Sequence, residues 1–196
     1  MPLRQTPSQT IGPFFAYSLT PRQYNYPMGE IAGAAMAAED TEGERIRIEG
    51  RVFDGAGAPV NDAMIELWQA DSQGRYAHPA DPRGTNTGFT GFGRVGTGTD
   101  PQQRFIFDTI KPGSTDASQA PHIGVIVFMR GLLTHAYTRI YFEDEAAANA
   151  ADPVLATVPA DRRHTLLARR SETSAGVVYR FDIHMQGDEE TVFFDV

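Results

Sequence analysis

The sequence of 196 residues contains no cysteine. A disulfide, a thiolate metal ligand and a cysteine nucleophile are therefore excluded. Positively charged residues are also few. The chain has 17 Lys and Arg residues and 25 Asp and Glu residues, so its formal net charge is -8. An acidic chain without a basic stripe is unsuited to nucleic acid or to an anionic membrane surface. An anionic ligand would have to be bound by one or two well-placed cations.

Long apolar runs and nucleotide-binding motifs are absent as well. No stretch approaches the roughly 18 apolar residues that a membrane span needs. Residues 1–10 are polar and lack the apolar segment of a signal peptide, so we expect a soluble cytoplasmic protein. The sequence has no GxSxG elbow, no P-loop and no GxGxxG that opens a helix. We interpret the glycines between residues 84 and 98 as a flexible loop.

Short segments typical of β-strands make up most of the chain from residue 44 onward. Residues 45–49 alternate between polar and apolar, and residues 123–129 are almost wholly apolar, as in a strand buried on both faces. Further strands are predicted at 63–68, 104–107, 137–142, 177–183 and 191–194. A helix is predicted at 160–170. The pattern predicts an all-β fold, an antiparallel β-sandwich with an irregular N-terminal arm and one or two short helices.

The predicted arm comprises residues 1–43, and the β-sandwich domain comprises residues 44–196. Prolines interrupt the arm repeatedly, and residues 31–38 suit either a short helix or a linker. Its aromatic residues are Phe14, Phe15, Tyr17, Tyr24 and Tyr26. A solvated tail has no use for so much aromatic surface, so we expect the arm to pack on another surface.

The five histidines do not form a metal-binding pattern, because no two are spaced to share one face of a strand or helix. His122 is unusual in opening the most apolar strand directly after Pro121, and by itself it is interpreted as a buried, hydrogen-bonded side chain. Arg130 ends the same strand. Two interpretations stay open for it: a strand-end residue reaching into water, or a fixed guanidinium that binds a carboxylate through two hydrogen bonds.

Several motifs, taken in order, resemble the intradiol ring-cleaving dioxygenases. They are Gly50-Arg51-Val52-Phe53-Asp54, Leu67-Trp68-Gln69-Ala70-Asp71, Gly74-Arg75-Tyr76, Thr109-Ile110-Lys111-Pro112-Gly113, Ala120-Pro121-His122-Ile123 and, near the C-terminus, residues 179–183 and 190–195. In that family, iron-bearing chains hold Fe(III) with two tyrosinates and two histidines, a set of ligands suited to this ion. The activated catechol ring then opens between its two hydroxyl-bearing carbons.

The resemblance breaks at the iron ligands. The family's histidines occur two residues apart, but here His122 is followed at that spacing by Gly124. No tyrosine lies between Tyr76 and Tyr137, and Ser114 follows the Lys-Pro-Gly motif where the family has a tyrosine ligand. With three of the four ligands absent, the resemblance implies that this chain holds no metal and supplies no catalytic residue.

Two-chain members of the family explain this loss. The start Thr6-Pro7-Ser8-Gln9-Thr10 and residues 128–131 resemble an iron-free α chain, which completes the substrate pocket beside the iron of a homologous β chain. The resemblance implies that substrate is bound by Arg130, Gly12, Pro13 and Thr10. It also implies that the β subunit holds Fe(III) in an (αβ)n assembly and that the arm packs on that subunit. The implied reaction is the O2-dependent cleavage of 3,4-dihydroxybenzoate to 3-carboxy-cis,cis-muconate.

Two alternatives remain at this point. The first is a self-sufficient metalloenzyme whose ligands are His78, His122 and a carboxylate. The second is a non-catalytic β-sandwich that keeps the fold only, since a fold by itself does not imply an activity.

Overall fold

A computed structural model describes residues 10–84 and 87–195 and shows a mostly β structure. The strands within these ranges are β1 (Arg45–Phe53), β2 (Met64–Gln69), β3 (Phe92–Gly96), β4 (Arg104–Ile110), β5 (His122–Phe128), β6 (Ala136–Phe142), β7 (Leu167–Thr173), β8 (Gly176–Arg180) and β9 (Ile183–His184). The helices are short: α1 (Pro13–Leu19), α2 (Ala146–Ala151), α3 (Pro153–Thr157) and 3-10 turns at Pro21–Tyr24 and Arg163–Leu166. The prediction of a mostly β fold with few short helices is confirmed.

The strands form one continuous sheet with the order β3-β2-β5-β6-β7-β8-β1-β4, and β9 lies beside β1. Buried side chains of β2 and β5 share one apolar cluster with those of β1 and β4, so the two halves of the sheet face each other. Most neighbours are antiparallel. The pairs β1–β8, β1–β9 and β6–β7 are parallel, which makes the sheet mixed rather than purely antiparallel.

Alternating burial on each strand builds the core between the two halves. On β4, Phe105 and Phe107 are fully buried while Ile106 and Asp108 are partly exposed. Burial of one such aromatic side chain contributes about 1.5–3 kcal/mol to folding. On β5 the residues Gly124, Ile126 and Phe128 are also partly exposed. The prediction that this strand is buried on both faces is therefore wrong for its outer face.

The predicted helix at 160–170 is wrong. A 3-10 turn occupies Arg163–Leu166, and β7 begins at Leu167. Leu166 and Ala168 are fully buried and Leu167 between them is partly exposed, which is the period of a strand. Pairing of Leu167 with Tyr141 of β6 outweighs the local helical preference. The strand predicted at 191–194 is reduced to a single bridge between Tyr137 and Phe194.

The structure decides between the two alternatives for residues 31–38 and corrects the expectation for the glycine-rich segment. Residues 31–38 form a linker with isolated bridges, and Met36 within it is fully buried in the chain's own core. The segment interpreted as a flexible loop contains β3. Glycine at position 93 is required there, because a Cβ atom would lie 2.8 Å from the Met36 Cγ and 2.9 Å from the Phe107 ring. No helix in the described ranges has the length and apolar character to cross a membrane.

Candidate functional site

Arg130 lies in the turn that follows β5, and its side chain is 67% exposed. Its Nε atom contacts the Oδ2 atom of Asp62 at 2.7 Å, and the Asp62 side chain is only 9% exposed. This ion pair joins the turn to the loop before β2. The guanidinium thus stands at the surface with its inner edge held by a nearly buried carboxylate.

Strand register explains this pairing. β2 and β5 are antiparallel, and Met64 lies opposite Phe128. When the same register is continued two residues beyond both strand ends, Asp62 lies opposite Arg130. Sequence reasoning missed Asp62. The position of Asp62 opposite Arg130 follows only when β2 and β5 are known to be paired in this register.

Thr10 fixes the backbone on both sides of Arg130. Its hydroxyl donates a hydrogen bond to the Met129 carbonyl and accepts one from the Gly131 amide, both at 3.2 Å. The Gly12 carbonyl accepts a hydrogen bond from the Phe15 amide at 3.0 Å as α1 begins. Pro13 is the first residue of α1, and its side chain lies outside the described part of the structure. The structure therefore brings Thr10 and Arg130 together, with Gly12 two residues beyond Thr10.

A small apolar cavity of about 160 Å³ adjoins this turn. It is lined by Ile11, Phe128, Met129, Leu132, Leu133, Thr134 and His135. The His135 ring lies 5.3 Å from the ring of Phe128, and its Nε2 atom lies 2.6 Å from the Tyr137 hydroxyl. The lining residue Met129 directly precedes the exposed Arg130, and apolar groups together with a guanidinium suit a small aromatic ligand that carries a carboxylate.

His122 lies at the opposite end of β5 and is buried. Its Nδ1 atom donates a hydrogen bond to the Ala120 carbonyl at 2.8 Å. Burial lowers the pKa of His122 below its ordinary value, and the nearby Arg139 guanidinium lowers this pKa further, against the opposing effect of the Ala120 hydrogen bond. His122 is thus a neutral, hydrogen-bonded core residue, as its first interpretation from sequence proposed.

The residues around His122 do not fit an iron ion. The Gly74 and Ser114 backbones are in close contact, so the loops of two family motifs do converge. Yet Gly124, at the position of the second histidine ligand, has no side chain. Space is not the reason, because a Cβ atom there would meet no atom closer than 3.4 Å. Arg139, which pairs with Gly124 on β6, adds a positive charge that opposes a bound cation. Across residues 10–84 and 87–195, no group of three or more His, Asp or Glu side chains is arranged to hold a metal ion.

The alternative metal site with His78 finds no support in this arrangement. His78 lines a broad, open cavity of about 850 Å³ beside Trp68, together with Tyr76 and Phe92. His122 is not among the residues that line it. Neither this cavity nor the smaller one is lined by Arg130 or Thr10, but the smaller one is lined by Ile11 and Met129, their neighbours in the chain.

The lowered pKa of His122 gives a prediction for stability. Below the ordinary histidine pKa of 6.5, the unfolded chain takes up a proton that the folded chain resists, so stability falls as the pH falls through this value. We expect His122→Gln to remove this contribution, which is at most about 1.4 kcal/mol per pH unit. Urea unfolding of wild type and His122→Gln between pH 7.5 and 5 measures it. Equal pH slopes for wild type and His122→Gln would contradict the assignment.

Comparison with known proteins shows the family to which the chain belongs. A family model described as "Dioxygenase" matches residues 26–187, and the chain belongs to this family, the intradiol dioxygenases. Within the family, the chain is 57% identical to the protocatechuate 3,4-dioxygenase alpha chain of Burkholderia cepacia, covering 99% of this chain and 98% of that one. It is 34% identical to the beta chain from the same organism, covering 76% of this chain and 67% of that one.

Structural similarity extends to more distant members. An intradiol ring-cleavage dioxygenase from Tetranychus urticae superposes with a TM-score of 0.61 at 16% identity, covering 96% of this chain and 100% of that one. At this identity the likeness supports the fold alone. Intradiol dioxygenases use Fe(III), and the residues around His122 described above do not provide its ligands.

Proposed function

We propose that this chain is the α subunit of a protocatechuate 3,4-dioxygenase and acts together with an iron-bearing β subunit. The 57% identity to an alpha chain over nearly the full length supports this assignment. The proposed reaction is the O2-dependent cleavage of 3,4-dihydroxybenzoate between its two hydroxyl-bearing carbons, giving 3-carboxy-cis,cis-muconate. The β subunit holds the Fe(III), and this chain supplies part of the substrate pocket.

The observation that carries the proposal is the exposed guanidinium of Arg130 at the end of a buried strand. The substrate is an aromatic ring with one carboxylate, and a guanidinium binds a carboxylate through two parallel hydrogen bonds. Arg130 would bind and orient this carboxylate. Thr10, Gly12 and Pro13 would form the adjacent wall of the pocket, with Thr10 holding the Arg130 turn in place.

Exposed apolar residues support a partner chain at the same place. The large hydrophobic side chains that stand exposed in the described ranges fall in residues 15–31 or in the turn after Arg130: Phe15, Tyr17, Tyr26, Met28, Ile31 and Leu133. Such a concentration is typical of an obligate interface. We therefore propose that the arm, residues 1–43, packs on the β subunit and that the pocket lies between the chains, although Met36 anchors the end of the arm on its own sandwich domain, residues 44–196.

Iron content and oxygen uptake test the proposal directly. We expect the chain alone to contain no iron and to consume no oxygen with 3,4-dihydroxybenzoate. Co-expression with its homologous β chain is expected to give a coloured enzyme that is active with this substrate. Stoichiometric iron and turnover in the chain alone would overturn the proposal. An inactive complex that contains both chains and iron would leave the non-catalytic β-sandwich as the better interpretation.

A further inference from the structure

We propose that Asp62 is a positioning residue that orients Arg130 and thereby sets the preference of the enzyme for carboxylated catechols. This inference rests on the proposed function and extends it to a residue in a different loop. Asp62 touches no substrate in this arrangement. It acts through the guanidinium that it holds.

The geometry of the ion pair leaves the substrate-binding edge of Arg130 available. Asp62 contacts the Nε atom, at 2.7 Å. Within residues 10–84 and 87–195, Arg130 makes no ion pair with a second residue, and its side chain is 67% exposed. A guanidinium offers five N–H donors in a rigid plane. When the Nε atom contacts Asp62, the donors of the terminal nitrogens can still bind a carboxylate.

Asp62 is suited to this task because its side chain is largely buried beside Arg130. The side chain is 9% exposed, and the buried Oδ2 atom has no well-aligned hydrogen bond to any described residue. A buried carboxylate oxygen needs compensation, and the contact with Arg130 supplies it. Tyr24 of the arm lies close by: burial raises the pKa of Tyr24, and the neighbouring Tyr17 and Asp62 raise it further.

Asp62 has two opposing effects on the affinity for substrate. A fixed Arg130 loses less conformational freedom when it binds a carboxylate, which strengthens binding. The negative charge of Asp62 repels the same carboxylate, which weakens binding. The repulsion acts across a solvent-exposed guanidinium and is screened, so we expect the positioning effect to be the larger of the two.

The test uses the assembled αβ enzyme with Asp62→Ala and Asp62→Asn in this chain. We expect Asp62→Ala to raise the KM for 3,4-dihydroxybenzoate about threefold to tenfold, the range for immobilising one long side chain, with little change in kcat. Asp62→Asn should fall between this variant and wild type, because its amide oxygen keeps a weaker electrostatic attraction to the guanidinium. The Ki of catechol, a competitor without the carboxylate, should not change in either variant.

Two further variants make the outcome decisive. Asp100→Asn removes a carboxylate of similar burial that pairs with Arg104 at 3.1 Å, and it should leave the KM unchanged. An unchanged or lower KM in Asp62→Ala, or an equal rise in the catechol Ki, would overturn the positioning role. If Asp62→Ala fails to assemble, the same comparison of KM and Ki is made with Asp62→Asn. If Arg130→Ala also leaves the KM unchanged in an active complex, the carboxylate contact of the proposed function is itself wrong.

Discussion

Replacing Arg130 with alanine in the αβ enzyme is expected to raise the KM for 3,4-dihydroxybenzoate by one to two orders of magnitude. The lost contact is a pair of hydrogen bonds between two opposite charges, worth about 1.5–3 kcal/mol. This free energy corresponds to roughly 10- to 150-fold in binding. The kcat should change much less, because the guanidinium contacts the carboxylate and not the carbons between which the ring opens. Steady-state oxygen uptake measures both constants.

The structure offers a closely matched control for this experiment. Arg180 is 63% exposed, stands at the end of β8 and contacts the nearly buried Glu49 at 2.9 Å. Arg180→Ala removes the same charge from the same kind of ion pair and should leave the KM unchanged. Arg130→Lys should restore only part of the affinity, since an ammonium cannot form two parallel hydrogen bonds in the guanidinium plane. Equal KM values for Arg130→Ala and Arg180→Ala would refute the assignment.

Asp152→Ala is expected to destabilise the chain by about 3–5 kcal/mol, the cost of leaving several buried donors without an acceptor. Asp152 is fully buried and caps α3 by accepting hydrogen bonds from the amides of Val154 and Leu155. It also accepts from the Ala120 amide at 2.8 Å and from the Tyr141 hydroxyl at 3.2 Å. One carboxylate thus ties a helix start to β6 and to the segment before β5. The urea midpoint of the purified chain measures the loss.

Asp54→Ala is the matched control for this loss of stability. Asp54 also accepts two backbone hydrogen bonds, from Ala56 and Ala58, but in an exposed turn where water can replace it. We expect a cost of about 1 kcal/mol there. Asp152→Asn should lie between the two, because its amide nitrogen cannot accept from the Ala120 amide. A similar midpoint for Asp152→Ala and Asp54→Ala would show that the buried network contributes little.

The sequence predicted the strands that have a clear local pattern. β1 alternates between polar and apolar residues, and β5 is an apolar run. Prediction failed where distant partners decide the local conformation. Residues 167–170 carry charged side chains at helix-like positions, yet the parallel pairing of Leu167 and Ala168 with β6 makes them a strand. β3 was missed because Gly93 is required by close packing on Met36 and Phe107, which the sequence does not reveal.

The candidate site was predictable only in part for the same reason. The strand pattern placed Arg130 at the end of β5, and the family resemblance added Thr10, Gly12 and Pro13 to it. The structure brings Thr10 against both neighbours of Arg130, a contact between residues more than a hundred positions apart. Asp62 lies in the loop before β2, and no motif in the sequence marked it. Its relation to Arg130 depends on the register of β2 and β5, which single-strand patterns do not contain.

The parallel pairing of β1 with β8 and β9 also dictates when the protein can finish folding as it is made. β1 leaves the ribosome early, but its partner Arg180 is synthesised 131 positions after Glu49. At roughly 5–20 residues per second, β1 waits on the order of ten seconds with an open edge. An open strand edge is a site of aggregation, which charged side chains such as Arg45, Arg47 and Arg51 of β1 oppose. We therefore expect the β subunit of the proposed enzyme to join a chain in which β8 has already paired with β1.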